Sequence, residues 1–278
     1  MSAHGKLLRL RTMCGMRSTV APGHDVAHLR ALEAKTIWLS TYMIHQANNV
    51  RPKRDGLKVG GHQASSTSLA TIMNVLYFKV LQPQDRVAVK PHASPMYHAI
   101  QYLFGNQTRD RMERFRALGG VQAYPSRTKD VDDVDFSTGS VGLGAAVTTF
   151  GALSQDYLRL KPNEAMHPVN LRGKERPGRM VALVGDAEMD EGVSEVLLES
   201  WKHKVKNNWW IIDYNRQSLD KVIEDNMVKQ FDRVIVKKKK FFFFYTAHCV
   251  RQNTYAALSR SRVPRSHHQV WKKAAGSV

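Results

Sequence analysis

Met180-Val-Ala-Leu-Val184, Gly185-Asp-Ala-Glu-Met-Asp-Glu-Gly192 and Trp209-Trp-Ile-Ile-Asp-Tyr-Asn215 decide the fold. The first and third are short runs of apolar, β-branched and aromatic residues, the length and composition of strands. Between them lie an acidic loop and a segment with helix signals to about His203. A strand, loop, helix, strand succession closes compactly when the two strands lie side by side and parallel, with the helix crossing over. Neighbouring strands then end on one edge of the sheet, where open α/β sheets bind ligands. Asp186 and Asn215 stand at those two ends. An Asp carboxylate, an Asn carbonyl and the backbone carbonyl of Gln217 are hard oxygen ligands suited to Mg²⁺. They fill half of an octahedron and leave the rest to phosphate oxygens and water. A solvated acidic turn has the same composition, and spacing alone does not choose between the two.

Outward from this unit, residues 25–235 alternate helix and strand signals with short glycine-rich joints. That pattern predicts an α/β domain of three layers with a mainly parallel sheet. Leu29, Leu32, Ile37, Leu39, Met43 and Ile44 predict a helix over 28–48, and Leu69, Ile72, Met73, Leu76 and Val80 another over 65–81. Arg86-Val-Ala-Val-Lys90 reads as a strand. In Pro91-His92-Ala93-Ser94-Pro95, Ser94 is placed as an N-cap and Pro95 as the first residue of a helix to 104. The basic segment 109–116 reads as a solvated amphipathic helix, and 130–135 as an acidic turn without metal-ligand spacing. Ser137-Thr-Gly-Ser-Val-Gly-Leu-Gly144 feeds an apolar helix over 145–158, and 161–179 is a polar surface loop.

Three joints place a histidine or a glycine-rich backbone where the chain enters a helix: Gly60-Gly61-His62, Pro91-His92 and Gly139-Ser140-Val141-Gly142. A lone histidine is usually structural. Two of them beside an anion-binding type of turn point to a site for a phosphorylated cofactor.

The 278 residues carry 42 Lys and Arg against 24 Asp and Glu, a formal charge of +18 that invites a nucleic-acid partner. The excess sits at the ends. Residues 236–278 hold ten basic and no acidic side chains, and residues 1–24 hold four basic and none acidic. The near-neutral remainder does not call for a polyanion. Cys14 and Cys249 lie in those ends, so the central region has no disulfide, redox pair or thiolate zinc site, which fits a reducing, cytoplasmic setting. The acid-free start, with Arg9, Arg11 and Arg17, has the composition of a mitochondrial presequence or of a disordered basic leader. No apolar run approaches the roughly 20 residues of a bilayer span, so a soluble chain without a membrane partner is expected.

Gly185-Asp186 followed by Asn215 resembles the thiamine diphosphate signature of the transketolase-like superfamily. Leu57-Lys-Val-Gly-Gly-His-Gln-Ala-Ser-Ser66, His92-Ala-Ser-Pro95, Ser140-Val-Gly-Leu-Gly144 and Gly185-Asp-Ala-Glu-Met-Asp-Glu191 are similar to the homodimeric decarboxylating component of pyruvate dehydrogenase, in order from about Asp25 to about Asp232. The resemblance implies a transketolase-like, thiamine diphosphate-binding fold. It implies that Asp186, Asn215 and the Gln217 carbonyl hold Mg²⁺, and that the metal holds the diphosphate. It places His92, Ser140, Val141, Gly142, Gly185, Ala187 and Glu188 around the cofactor, His62 toward thiazolium and substrate, and His45 on the substrate side. It also implies a 2-oxo acid substrate such as pyruvate, a homodimer and a lipoyl-bearing acyltransferase as acceptor, with a sugar phosphate as the transketolase-type alternative. Two positions depart from the family: Ala187 stands where its third glycine is usual, and the helix after Gly192 looks about one residue shorter.

In that family the glutamate that activates the cofactor comes from a second domain across a dimer interface, so the resemblance implies that this chain alone is inactive. Lys237-Lys-Lys-Lys-Phe-Phe-Phe-Phe244 ends the resemblance and has the look of a homopolymer tract. Residues 236–278 are therefore expected to be frame-shifted or disordered. The rival reading uses their lysines and aromatics to bind nucleic acid.

Overall fold

A computed structural model describes residues 22–53, 55–160 and 178–216, together with the backbone of 242–246. Four parallel strands form one sheet in the order β1-β2-β3-β4: β1 Arg86–Ala88, β2 Met180–Gly185, β3 Asn208–Tyr214 and β4 Phe242–Thr246. The helices are α1 Pro22–His45, α2 Gln63–Thr67, α3 Ala70–Val75, α4 Ser94–Leu103, α5 Arg109–Glu113, α6 Leu143–Leu160 and α7 Val193–Lys202. Single π turns extend α1 over Gln46–Val50 and α3 over Leu76–Val80.

Side chains along a strand point alternately to opposite faces, and both faces of β2 and β3 are apolar. Val181, Leu183 and Ile211 pack with Val87 and Val89 against Ile72 and Met73 of α3 and Met96 and Ile100 of α4. Ala182, Val184, Trp210 and Ile212 pack on the other face against Ala145 of α6 and Val193 and Leu197 of α7. Helices thus cover both faces. A third cluster, with Met43, Ile44, Ala99, Met112 and Phe115, joins α1 to α4 and α5. A side chain as large as Trp210, fully buried, contributes roughly 2–3 kcal/mol by area.

Several local expectations change. The helix expected over 65–81 breaks at Ser68 and Leu69 and resumes as α3. Ala93, after a 3-10 turn at Pro91–Ala93, is the non-helical cap of α4. Ser94 is instead its first residue, and its hydroxyl donates to the Ala123 carbonyl. The expected basic helix is only the short α5, capped by Thr108. Phe242–Thr246 lies in the stretch expected to be frame-shifted or disordered, yet its backbone pairs with β3 from Trp210 to Tyr214. Four consecutive aromatics have the high β-propensity that an edge position accepts. Residues 1–21, 161–177 and Gln217 lie outside the described residues.

The amino end of the sheet is fastened by carboxylates. Asp85 accepts the Arg179 amide at 2.7 Å and its Nε at 3.0 Å, and the Arg179 guanidinium lies 4.4 Å from the Trp209 ring centroid. Asp135 accepts the Val87 amide at 2.8 Å and faces Arg86 Nε at 3.4 Å. Burial pushes the Asp135 carboxyl up to about 7, against the pull of Arg86 and the Val87 amide. A carboxyl raised on folding favours the protonated fold. Its contribution to stability is complete below about pH 4 and is lost as pH rises through about 7, on the order of 4 kcal/mol at most. Asp135→Asn keeps an acceptor for Val87 and removes the titration. Urea midpoints between pH 4 and 8 should therefore fall more for the wild type than for Asp135→Asn, and parallel profiles would refute this account.

Candidate functional site

The polar groups of the carboxyl edge come from the ends of three strands. Beyond β1 the chain stays extended to Lys90 and turns through Pro91–Ala93. β2 ends at Gly185 and enters a 3-10 turn, Asp186–Asp190. β3 carries Asp213 two residues before Asn215, and so on the same face.

A buried ion pair ties these ends together. Lys90 Nζ lies 2.7 Å from Asp213 Oδ2, with both side chains almost wholly withdrawn from water. The Ser68 hydroxyl donates to the same oxygen at 2.5 Å. Asn215 Nδ2 reaches Ser68 Oγ and Asp213 Oδ2, each at 3.3 Å. Asp213 Oδ1 is buried with no hydrogen-bond partner among the described residues. The break between α2 and α3 puts Ser68 in a turn at this edge.

Asp186 is nearly buried and accepts backbone amides from Arg216 at 2.7 Å and Ala187 at 3.0 Å. The first of these bonds joins the β2 end to the β3 end. Burial, with a smaller contribution from the Asp213 charge, raises its carboxyl to about 6, while the two amides and Lys90 pull the other way. Glu188 bridges two loops: Oε1 accepts the Gly185 amide and Oε2 the Gly142 amide, both at 2.8 Å. Gly142 has φ +83°, and a Cβ there would meet Val193 Cγ2 at 3.1 Å and Glu191 Cβ at 3.2 Å. A larger residue would push the loop off the turn. Ser140 and Val141 stay exposed just before α6, and Ala187 is half-buried.

The His62 and His92 rings lie 4.0 Å apart, with Tyr124 6.2 Å from His92. Both histidines are held below the ordinary value. Burial leads for each, followed by Arg116 and Lys90 for His62, and by His62, Lys90 and Arg116 for His92, which falls to about 4. Both surroundings favour the neutral ring, which donates and accepts hydrogen bonds without carrying charge. Asn48 holds the Gly60-Gly61-His62 joint by bonds to both Gly60 O, 2.9 Å, and Gly60 N, 3.1 Å. A Cβ at Gly61, where φ is +134°, would lie 2.8 Å from Ile44 Cγ2. His45 stands apart from the histidine pair; its ring contacts are Asn49 at 3.2 Å and Tyr42 at 6.4 Å.

The acidic turn in which the sequence shows no metal spacing gathers a second polar group. One ligand atom each from His98, Asp130 and Asp132 lie within 4.8 Å of one another. Asp132 Oδ2 sits 2.8 Å from His98 Nδ1, and Gln122 O lies 3.1 Å from His98 Nε2. Burial alone would lower His98, but the hydrogen bond and charge of Asp132 outweigh it and hold it above the ordinary value.

Asp186, Glu188, Asn215, Gly142, His62 and His92, all singled out in the sequence, thus belong to one sheet edge and the loops that meet it. Sequence reasoning passed over Lys90, Asp213 and Ser68. The one signal for the first two was their place two residues before His92 and Asn215, where the strands give way to the loops. Together these groups offer carboxylate and amide oxygens for a hard cation, glycine-loop backbone before an 18-residue helix, and neutral imidazoles beside fixed cations.

No protein-family model matches the chain. It is 29% identical over 204 residues to the pyruvate dehydrogenase E1 component of Mycolicibacterium smegmatis, covering 68% of this chain and 20% of that protein. The pyruvate dehydrogenase E1 component of Cupriavidus necator is 27% identical over 236 residues, covering 80% and 24%. That of Escherichia coli K12 is 29% identical over 187 residues, covering 64% and 20%. The chain therefore spans about a fifth to a quarter of the length of these curated relatives.

Proposed function

We propose that this chain is the metal- and diphosphate-anchoring part of a thiamine diphosphate-dependent 2-oxo acid dehydrogenase, similar to pyruvate dehydrogenase E1. The observation that carries the reading is the junction of the β2 and β3 ends by Asp186, with Glu188 fastening the glycine loop before α6 to the same turn. The similarity to three E1 components over 64% to 80% of this chain supports it.

On this reading Asp186 and Asn215 give oxygen ligands to Mg²⁺, and Gln217, outside the described residues, gives a third. The orphaned Asp213 Oδ1 and the raised Asp186 carboxyl fit a place where a bound cation would offset buried negative charge. Bound thiamine diphosphate supplies the electron sink for decarboxylation of the 2-oxo acid. The chain's own residues hold and orient. Glu188 fixes the loop that would hold the diphosphate, and Lys90 offsets the charge of Asp213. His62 and His92 present uncharged ring nitrogens for proton handling on the substrate side.

The reading also holds that full activity needs a second, pyrimidine-facing domain and a homodimer, with a lipoyl-bearing acyltransferase as acceptor. The exposed, stacked Trp38 and Tyr42, 5.0 Å apart on α1, support a partner surface.

Isothermal titration of the purified chain tests the anchoring. Thiamine diphosphate should bind saturably with Mg²⁺ present, lose binding on chelation, and bind at least about tenfold more weakly to Asp186→Asn. A folded chain with no Mg²⁺-dependent binding would refute the proposal. Glu188→Gln keeps one acceptor oxygen and turns its carboxamide –NH2, a donor, toward the other glycine amide. It should cost roughly 1–3 kcal/mol in urea unfolding, and an unchanged midpoint would show that the bridge is not formed.

A further inference from the structure

Arg116 belongs to no glycine or acidic motif, and the sequence places it in a solvated basic segment. The structure turns it inward. Its backbone adopts φ +57°, a left-handed conformation rare outside glycine, held by a bond from its amide to Val121 O at 3.1 Å. Its guanidinium lies along the Gly60 backbone: Nη1 donates to Val59 O at 2.8 Å, and a Cβ on Gly60 would sit 2.9 Å from Nη1. Its Cζ is 5.9 Å from the Tyr124 ring centroid, and that ring is 6.2 Å from His92. The arginine therefore stands at the wall of the histidine pair.

Among the described residues no carboxylate pairs with it, as none pairs with Arg51, Arg111 or Arg127; what distinguishes it from those is a guanidinium nitrogen withdrawn from water and left without a partner. Its Nε is buried with no hydrogen-bond partner. Nη1 is taken by Val59, so the unused edge of the guanidinium is the one made by Nε and Nη2. Those two N–H groups are parallel and match the two oxygens of a carboxylate. A buried donor without a partner is costly, as is a half-buried cation without an anion, and a ligand carboxylate at this edge would relieve both.

We propose that Arg116 is the anchor for the carboxylate of the small 2-oxo acid substrate, holding it by the Nε and Nη2 edge beside His62, His92 and Tyr124. This rests on the proposed function for the identity of the acid, while the carboxylate site itself rests on the geometry. Seated there, a short 2-oxo acid has its carbonyl next to the neutral histidines. The Tyr124 ring, 6.2 Å from His92 and 5.9 Å from the Arg116 Cζ, flanks the same wall.

The test follows the ring signals of His62 and His92 by NMR while sodium pyruvate is added to the intact chain. Saturable shifts are expected with pyruvate and none with methyl pyruvate, which has the same carbonyl without the charge. Arg116→Gln should weaken pyruvate binding roughly tenfold to a hundredfold. Arg116→Lys, which keeps the charge and loses the fork, should fall between, and it serves if the glutamine variant does not fold. Equal response to methyl pyruvate, or equal pyruvate affinity in the folded variants, would overturn the proposal. So would inorganic phosphate binding more tightly than pyruvate in an Arg116-dependent way, since the edge would then take a phosphoryl group. Thiamine diphosphate titrated into the same wild-type sample separates the two claims. Pyruvate binding through Arg116 without cofactor binding would leave the carboxylate site standing and remove the cofactor reading.

Discussion

Lys90 and Asp213 meet 2.7 Å apart where almost no water reaches, and the carboxyl edge of the sheet is arranged around that contact. The two residues are separated by 123 positions and come from the extended chain just beyond β1 and from β3, so their pairing spans the end of β2 between them. Withdrawing both charges from water is unfavourable, and removing one alone would cost about 3–5 kcal/mol by stranding the other. The pair is accordingly surrounded by further donors, Ser68 and Asn215. Its charges reach outward as well. Lys90 helps to lower both histidines and to restrain the rise of Asp186 and Glu188.

The two ends of the sheet use the same residue types differently. At the amino end Asp85 is fully engaged by Arg179 and the Gln82 amide, an arrangement that closes on itself. At the carboxyl end polar groups are left over: a buried oxygen of Asp213, a buried Nε of Arg116, and loop backbone exposed at Ser140. Buried oxygens without partners also occur at the start of β3, on Asn207 and Asn208, so at the carboxyl edge it is their company of carboxylates, glycine-loop backbone and imidazoles that points to a ligand.

Much of this was legible in the chain. The apolar runs in Met180–Gly185 and Asn208–Tyr214 placed both strands and their parallel pairing, and with them Asp186 and Asn215. Local pattern works there because a strand buried on both faces needs an unbroken apolar run. It worked less well at Ser68, where a polar contact to β3 interrupts a helix whose apolar spacing looks continuous. Ser94 has the chemistry of a cap, but its hydroxyl is drawn to Ala123. The Lys90 pairing and the inward turn of Arg116 depend on residues far away in sequence. No local composition encodes them, and a basic segment read by itself looks like surface. The shift of the +18 charge to the two ends was legible, whereas the strand Phe242–Thr246 within one of those ends was not.

The central claim is that the metal and diphosphate belong at the edge defined by Asp186, Asn215 and the Gly142 loop. Among the described residues, the group of His98, Asp130 and Asp132 also offers ligand atoms close enough together for a cation and is the rival to the proposed edge. Mn²⁺ added with thiamine diphosphate to a ¹⁵N-labelled sample broadens the amide signals nearest to the ion. The account predicts that the signals of Gly142, Gly185, Asp186, Ala187 and Asn215 are lost first. Broadening centred on His98, Asp130 and Asp132, with the sheet-edge signals intact, would contradict it.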